Sequence, residues 1–351
     1  MSDAQTLQPD DIRKARAENP KKRERELAES LGISEAQLLA AHLGDGVTAV
    51  AAHPDKVMAI AQTLGEAMAL TRNGSCVHEK VGVYENYHPG PHASMILADE
   101  IDLRIFPSHW RHAFMVEKET EDGVRRSVQV FDAAGDAVHK VFMREEAHLA
   151  AWETAKAVEA LTDVSSSLVV EARKPTEVPK SDLSKQDILR KEWSRMTDTH
   201  QFMRLTSKLK MNRLGAYRIA GEPFARPLDV GAINQMLSKL QAQGVEVMLF
   251  AGNRGCIQIH TGSINSLKPM GPWQNVMDPR FNLHLRMDQI NEVWAVDKPT
   301  QRGAAMSVEA FDADGGLIFQ VFGVPKEGRD SRPAWRAIVD TLETLETEAK
   351  V

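Results

Sequence analysis

Among the twelve histidines of the chain, His200 has the most suggestive surroundings. It lies within residues 196–203, Met-Thr-Asp-Thr-His-Gln-Phe-Met, so large apolar side chains occur on both sides of it. One neutral imidazole between apolar walls can be the axial ligand of an iron porphyrin, because the macrocycle is flat and apolar and its iron takes one ring nitrogen. The alternative is a buried histidine with satisfied hydrogen bonds. The local pattern alone favours the buried histidine.

Five further histidines form a loose group in the first half of the chain: His78, His88, His92, His109 and His112. His88 and His92 are four residues apart, but Pro-Gly-Pro separates them. They therefore cannot share one face of a helix, as paired zinc ligands often do. We expect hydrogen-bonded or exposed loop histidines here rather than a transition-metal site.

Several common catalytic motifs are missing from the sequence: G-x-x-x-x-G-K-[ST], G-x-G-x-x-G after a strand, G-x-S-x-G and H-E-x-x-H. Phosphate-loop, dinucleotide, serine-hydrolase and zinc-protease chemistry each depend on one of these patterns. The 43 lysines and arginines against 49 acids give a net charge of -6, which argues against a general polyanion binder. Catalysis that consumes electrons would need an external reductant, because no flavin or nicotinamide motif occurs.

The elements that must position these residues are repeated at an offset of 180. Residues 66–142 align without a gap on residues 246–322, and 19 of the 77 aligned positions are identical. The only two cysteines, Cys76 and Cys256, fall on each other. A duplicated domain explains this register. Residues held by one copy alone are then better candidates for a site than residues that both copies share.

The hydrophobic pattern of each copy predicts an α+β unit with antiparallel hairpins. Strand, glycine-bearing turn and strand follow one another around Gly135 and again around Gly315, which is typical of a hairpin. Helices are expected at 10–43 with a break at Pro20, near 54–64, and in three pieces from 188 to 219. Each copy ends with an amphipathic helix that carries a tryptophan. We therefore predict two α+β repeats.

A Ser/Pro/charge-rich stretch at 162–187 predicts a linker between an N-terminal repeat, 1–161, and a C-terminal repeat, 188–351, which carries His200. Residues 25–39 superficially resemble a helix-turn-helix, but acids and alanines occupy the second helix, so two packed helices are favoured over a DNA reader. The first residues have no secretory signal and no run is apolar enough to span a membrane, so we expect a cytoplasmic protein. Both cysteines are expected to be buried small hydrophobes.

Five segments together resemble the bacterial HemS/HmuS-type family of cytoplasmic haem-trafficking and hemin-degrading factors. They are residues 102–106, 197–202, 252–262, 281–286 and 292–300, and they agree with the family in order and spacing. The resemblance runs along essentially the whole chain, including the duplication and the linker. It implies two stacked α+β repeats, each with a large antiparallel sheet plus helices. It also implies one haem b, as ligand or substrate, in a cleft between the two halves.

The resemblance also implies roles for individual residues. His200 would be the proximal ligand of the iron, and Arg104 would reach the distal side as a candidate for a catalytic role that is otherwise unassigned. The remaining residues that the family pattern places at the porphyrin edge, its propionates and the pocket wall are Lys298, Gln320, Arg213, Phe106 and Phe250. Lys298 matches Lys118 in the first copy, whereas Arg104 matches His284 and is specific to its copy.

One departure from the family pattern concerns the turn after the last strand. Family members often have a tyrosine and an arginine there, but this chain has Phe322-Gly-Val-Pro-Lys326. Lys326 or Arg329 could supply that contact instead.

Two functions follow from the resemblance. The protein could carry haem from an inner-membrane transporter to an acceptor, or it could be an oxygenase that opens the macrocycle with O2 and an external electron donor. A histidine-ligated iron suits both. A DNA-binding regulator is the weaker third reading. The product, the reductant, the acceptor and the oligomeric state are not encoded in any motif of the chain.

Overall fold

The computed structural model describes residues 7–345, so residues 1–6, part of the stretch used to judge the secretory signal, lie outside it. The first half contains α1 Pro9–Glu18, α2 Glu24–Leu31, α3 Glu35–Ala40, β1 Val47–Val50, α4 Pro54–Gln62, β2 Glu66–Arg72, β3 Cys76–Val83, β4 Tyr87–His88, β5 Ser94–Leu97, β6 Asp102–Ile105, β7 His112–Thr120, β8 Gly123–Phe131, β9 Ala137–Met143 and α5 Leu149–Glu159.

The second half contains α6 Gln186–Ser194, α7 Gln201–Lys208, α8 Arg213–Ala220, β10 Ala225–Leu228, α9 Ala232–Gln243, β11 Val247–Gly252, β12 Cys256–Gly262, β13 Leu267–Met270, β14 Trp273–Asp278, β15 Phe281–Arg286, β16 Glu292–Lys298, β17 Ala305–Phe311, β18 Leu317–Gly323, β19 Pro325–Lys326, β20 Arg329–Asp330 and α10 Arg332–Asp340.

Both halves build the same antiparallel sheet, which confirms the predicted α+β class and the duplication. The strands pair in the order β1-β7-β8-β9-β2 in the first half and β10-β16-β17-β18-β11 in the second. Each half of the chain also contains a smaller antiparallel group of strands, β4-β5-β6 in the first half and β13-β14-β15 in the second. Each glycine-bearing turn is the hairpin that the sequence predicted, with Gly135 at φ 77° and Gly315 at φ 84°.

The chain divides into two compact units that exchange short segments. One unit comprises residues up to Arg72, Glu79–Lys174 and Gly252–Gln258, and the other comprises Asn73–His78, Pro175–Ala251 and the residues from Ile259 onward. Residues 162–182 form no helix or strand and contain the division between Lys174 and Pro175.

The helix pair α2 and α3 packs inward. The αL residue Gly32 ends α2, and the apolar side chains of Leu27 and Leu38 are buried with Ile12 in one cluster. This supports the interpretation as packed helices. The amphipathic pattern of α5, Leu149, Trp152, Ala155 and Val158, predicts one buried stripe, and this prediction is wrong at Val158. Trp152 is buried, but Val158 lies on the side of the helix that faces solvent and is 72% exposed.

In the second unit, the sheet separates two apolar clusters, because alternate residues of a strand face opposite sides. On one face α9 and α10 cover Leu249, Val321 and other aliphatic residues. On the other face α6, α7 and α8 cover a cluster in which aromatic rings contact one another, including Trp193, Phe202 and Tyr217. The second face carries the polar and aromatic positions that the sequence predicted for the site.

Candidate functional site

His200 immediately precedes α7, in a turn that several hydrogen bonds hold in place. The Thr197 backbone N–H donates to Gln201 Oε1 at 2.9 Å, and Gln201 Nε2 donates to Thr197 Oγ1 at 3.1 Å. The Gln301 backbone N–H, in the turn between β16 and β17, donates to the Thr197 carbonyl at 3.0 Å. The backbone that carries His200 is therefore tied to the sheet hairpin as well as to its own helix.

The His200 side chain is 94% exposed, so the interpretation as a buried histidine is wrong. The cause is the orientation of α7. Phe202 and Leu205 face inward, and the Phe202 ring packs against Trp193 with centroids 4.5 Å apart, which turns residue 200 outward. Met203, one turn along, is 53% exposed.

One carboxylate oxygen holds the His200 ring. His200 Nδ1 donates to Asp198 Oδ1 at 2.7 Å, and the His200 backbone N–H donates to the same oxygen at 2.7 Å. The backbone hydrogen bond, followed by the imidazole bond, lowers the pKa of the Asp198 carboxyl below its ordinary value. Within residues 7–345 the other ring nitrogen, Nε2, has no hydrogen-bond partner, so its lone pair can bind a metal.

A buried charged cluster lies under α7 and α8. Glu309 on β17 accepts hydrogen bonds from Lys298 Nζ at 2.7 Å and from Arg213 at 2.9 Å. Tyr217 donates to Glu309 at 2.9 Å and accepts from Lys298 at 2.9 Å, and Ser307 donates to Glu309 at 2.8 Å. The Lys298 side chain is 3% exposed, whereas that of Arg213 is 24% exposed.

The charges of this cluster shift the pKa values of Glu309 and Lys298. Burial alone would raise the pKa of Glu309, but Lys298 and Arg213 outweigh it and hold the pKa well below its ordinary value. Burial lowers the pKa of Lys298, and Glu309 opposes that shift. The cluster places two basic side chains around one carboxylate, a surplus of one basic group, and Arg213 extends it towards the surface.

A partly exposed row continues from this cluster along the sheet. Gln320 on β18 lies opposite both Glu309 on β17 and Phe250 on β11, so the three side chains share one face. The Phe250 ring meets the Phe322 ring edge to face with centroids 5.3 Å apart. Phe250, Gln320 and Phe322 are all only partly buried. The row offers two aromatic surfaces and one amide to a flat ligand.

The cluster is linked to the turn that carries His200. Arg213 donates to the Met203 sulfur at 3.6 Å, and Met203 lies one helical turn after His200. Five of the residues named by the family pattern belong to the second unit: His200, Arg213, Lys298, Gln320 and Phe250.

The other two residues of that pattern belong to the first unit. Arg104 on β6 is paired with Asp102 and donates to the Leu103 carbonyl at 3.1 Å. Phe106 follows that strand, is partly buried, and donates its backbone N–H to the Gly255 carbonyl at 3.0 Å. The distal role of Arg104 and the pocket-wall role of Phe106 remain predictions.

The two candidates for the family contact after the last strand lie on a small hairpin. Lys326 on β19 is exposed, and it pairs in register with Arg329 on β20. Arg329 donates to the Glu246 carboxylate at 2.9 Å. Which of them contacts a ligand remains a prediction.

A haemin-degrading HemS/ChuX domain matches the chain twice, over residues 32–158 and 210–342. The chain belongs to the HemS family. This HemS-family chain is 39% identical over 330 residues to hemin transport protein HmuS of Yersinia pestis, covering 93% of the chain and 95% of that protein. It is 38% identical over 336 residues to hemin transport protein HemS of Yersinia enterocolitica, covering 95% of the chain and 97% of that protein.

Two solved structures resemble the HemS-family chain over nearly all of its length. Holo-PhuS, a heme-binding protein from Pseudomonas aeruginosa, matches with 36% identity and a TM-score of 0.90, covering 97% of this chain and 100% of that one. ChuS, a heme oxygenase from E. coli, matches with 32% identity and a TM-score of 0.84, covering 94% and 99%. The expected family and the expected tandem duplication are confirmed.

Two residues of the site escaped the sequence analysis. Glu309 aligns with Gln129 in the first repeat, so it is specific to its copy and could have been found by the same comparison that favoured Arg104. Asp198 stands two residues before His200, the spacing of a turn in which an aspartate binds the backbone N–H two residues on. Both signals were available in the sequence.

Within residues 7–345, no group of three or more His, Cys, Asp or Glu side chains is placed to hold a metal ion. No helix in this part of the chain has the length and apolar character needed to cross a membrane.

Proposed function

We propose that this protein binds haem through His200 and serves a bacterial haem-uptake system, where it receives imported haem and passes it on or degrades it. The observation that carries the proposal is the exposed His200 imidazole, held by Asp198 with Nε2 open. Relatives named as hemin transport and heme-binding proteins support it. An inner-membrane transporter as donor, a separate acceptor and a cytoplasmic location are parts of the proposal that follow from the family resemblance.

Binding would use the chemistry of the second unit. Nε2 of His200 supplies one neutral nitrogen to the iron, and the partly exposed Phe250 and Phe322 rings supply apolar surface to the macrocycle. The two propionates need cationic partners in a site shielded from water. Arg213 reaches the surface and can meet a propionate directly. Lys298 is enclosed by Glu309 and Tyr217, so it acts through the surplus charge of the cluster or after exchanging a hydrogen bond.

The test is a hemin titration of the wild-type protein and of His200→Ala, followed by absorption in the Soret region. We expect the variant to lose the histidine-ligated spectrum and most of its affinity. His53→Ala is the matched control, because His53 is also an exposed histidine that precedes a helix and has an aspartate two residues away. Identical spectra and affinities for wild type and His200→Ala would overturn the proposal.

Haem degradation is the second candidate function, and the similarity to ChuS, named a heme oxygenase, favours it. Degradation would need O2 and an external electron donor. The haem complex can be incubated aerobically with a reductant and catalase, with analysis for a linear tetrapyrrole and released iron. Ring-opened product would indicate an oxygenase, whereas its absence leaves a carrier. Product that forms only without catalase indicates damage by peroxide.

A further inference from the structure

The carboxylate of Asp198 makes two hydrogen bonds through one oxygen. Oδ1 accepts from the His200 backbone N–H and from His200 Nδ1, each at 2.7 Å. The backbone bond is a common way to begin a helix, and Asp182 makes the same bond to the Ser184 backbone N–H at 3.1 Å. Within residues 7–345, Asp182 accepts no hydrogen bond from a histidine. The bond to the imidazole is thus an addition to the helix-start geometry.

Little else constrains the His200 ring. The side chain is 94% exposed, so packing does not select its rotamer, and in the part of the chain that the structure describes Asp198 is the one hydrogen-bond partner of the imidazole. A free imidazole also exchanges its proton between Nδ1 and Nε2, and only the form protonated on Nδ1 can bind iron through Nε2. The Asp198 bond restricts both the ring orientation and the position of the proton.

The aspartate is itself held in place. The peptides on either side of Asp198 are both hydrogen-bonded: the Gln301 backbone N–H donates to the Thr197 carbonyl at 3.0 Å, and the Gln201 backbone N–H donates to the Asp198 carbonyl at 3.1 Å. The two reciprocal hydrogen bonds between Thr197 and Gln201 brace the same turn. The acceptor oxygen thus stands on a fixed turn, and a ring bonded to it keeps a fixed direction.

We infer that Asp198 is a positioning residue for the iron ligand: its carboxylate keeps the proton on His200 Nδ1, presents Nε2 to the iron and increases the electron donation of the imidazole. This inference rests on the proposed function. A carboxylate behind a metal-bound histidine raises the basicity of that ligand. A more basic imidazole favours ferric over ferrous iron, so Asp198 stabilises the oxidised haem complex.

The test compares Asp198→Asn and Asp198→Ala with wild type. Asparagine keeps an acceptor oxygen but loses the charge, and alanine loses both. We expect ferric haem affinity to fall by about 10- to 100-fold in Asp198→Ala, with Asp198→Asn between that variant and wild type. The midpoint potential of the bound iron should rise in the same order, by about 59 mV for each tenfold loss of ferric over ferrous affinity. The iron–histidine stretching band of the ferrous complex should move to lower frequency.

The controls separate this inference from the proposed function and from a folding defect. Asp182→Asn removes a carboxylate that makes the same turn without a histidine and should leave the potential and the stretching band unchanged. Equal unfolding temperatures of the haem-free variants would exclude a loss of structure. If both Asp198 variants keep the wild-type potential and band while His200→Ala loses histidine ligation, Asp198 only begins the helix, and the inference is overturned. If His200→Ala also keeps the wild-type spectrum, the proposed function fails as well.

Discussion

Glu309 and Gln129 occupy equivalent positions in the two repeats, but only Glu309 is charged. In the second unit, Glu309 accepts hydrogen bonds from Lys298 at 2.7 Å and Arg213 at 2.9 Å in a buried setting. In the first unit, the Gln129 amide donates to Ser127 at 3.0 Å, and the shared lysine, Lys118, pairs with Glu24 on α2. The ionic cluster around position 309 is therefore specific to the second repeat.

Replacing Glu309 by Gln should strongly destabilise the protein. The change leaves the buried Lys298 and the partly exposed Arg213 without their counter-charge, and breaking a buried pair in this way costs about 3–5 kcal/mol. The free energy of unfolding can be measured in urea. Glu153→Gln is the control, because Glu153 pairs with Lys156 at the surface and should cost less than about 1 kcal/mol. Equal losses for the two variants would contradict this account of the cluster.

His139 should make the stability of the protein depend on pH. It is fully buried, with hydrogen bonds of 2.8 Å to Thr71 and to Tyr84, and burial lowers its pKa from 6.5 to about 3. As the pH falls below 6.5 the unfolded chain takes up a proton that the folded chain does not. Stability from this group is therefore complete above pH 6.5 and is lost towards pH 3, by about 1.4 kcal/mol per pH unit.

The variant His139→Phe tests this dependence, because Phe319 occupies the equivalent position in the second repeat. We expect the variant to be less stable at neutral pH and to show a shallower fall in unfolding free energy between pH 6.5 and 4.5. That window lies above the range in which Glu309 loses its contribution, since the pKa of that carboxyl is lowered from 4.5. Parallel curves for wild type and variant would show that His139 titrates normally.

Both thiols should be inert in the folded protein. Cys76 and Cys256 are free and buried, as expected from the sequence, and burial raises the pKa of each to about 12. A thiol reagent such as dithionitrobenzoate should therefore not react in native buffer and should modify both cysteines in guanidinium chloride. Rapid reaction of either thiol in native buffer would contradict the burial described for it.

The exposed face of α7 should speed the capture of haem. Arg204 and Lys208 follow His200 by four and eight residues, lie on its side of the helix, and make no ion pair within residues 7–345. They would attract the two propionates. Replacing both by Gln should slow haem association by about three- to tenfold at low ionic strength and leave dissociation unchanged, as measured by stopped flow. Lys14→Gln with Lys174→Gln, which changes net charge equally, should not slow association.

Much of the fold was readable from the sequence, because apolar residues recur at the helix or strand period in nearly every element. The same periodicity also predicts that the His200 side chain is exposed. Phe202, Leu205 and Leu209 recur at three and four residues and define the buried side of α7, so residue 200 must face outward. The apolar composition around His200 favours burial, but the periodicity of α7 decides its orientation.

The environment of Lys298 could not be predicted in the same way. Its partners Tyr217 and Glu309 lie 81 and 11 residues away in the sequence. The distance from Lys298 Nζ to the Tyr217 hydroxyl depends on how α8 docks on the sheet. Neither the pattern of one strand nor the repeat alignment contains that docking. A lysine shared by both copies thus turned out to have different partners in each, Glu24 at position 118 and Glu309 at position 298.

The helices α3 and α8 are equivalent in the two repeats, but they bring charges of opposite sign to their sheets. On α3, Glu35 meets Lys140 at 2.7 Å, whereas Arg213 at the start of α8 meets Glu309. Tandem repeats risk misassembly when an element of one copy docks on the other. Here α8 on the first sheet would bring Arg213 towards Lys140, and α3 on the second would bring Glu35 towards Glu309. Like-charge repulsion would therefore disfavour the docking of α3 or α8 on the sheet of the other repeat during folding.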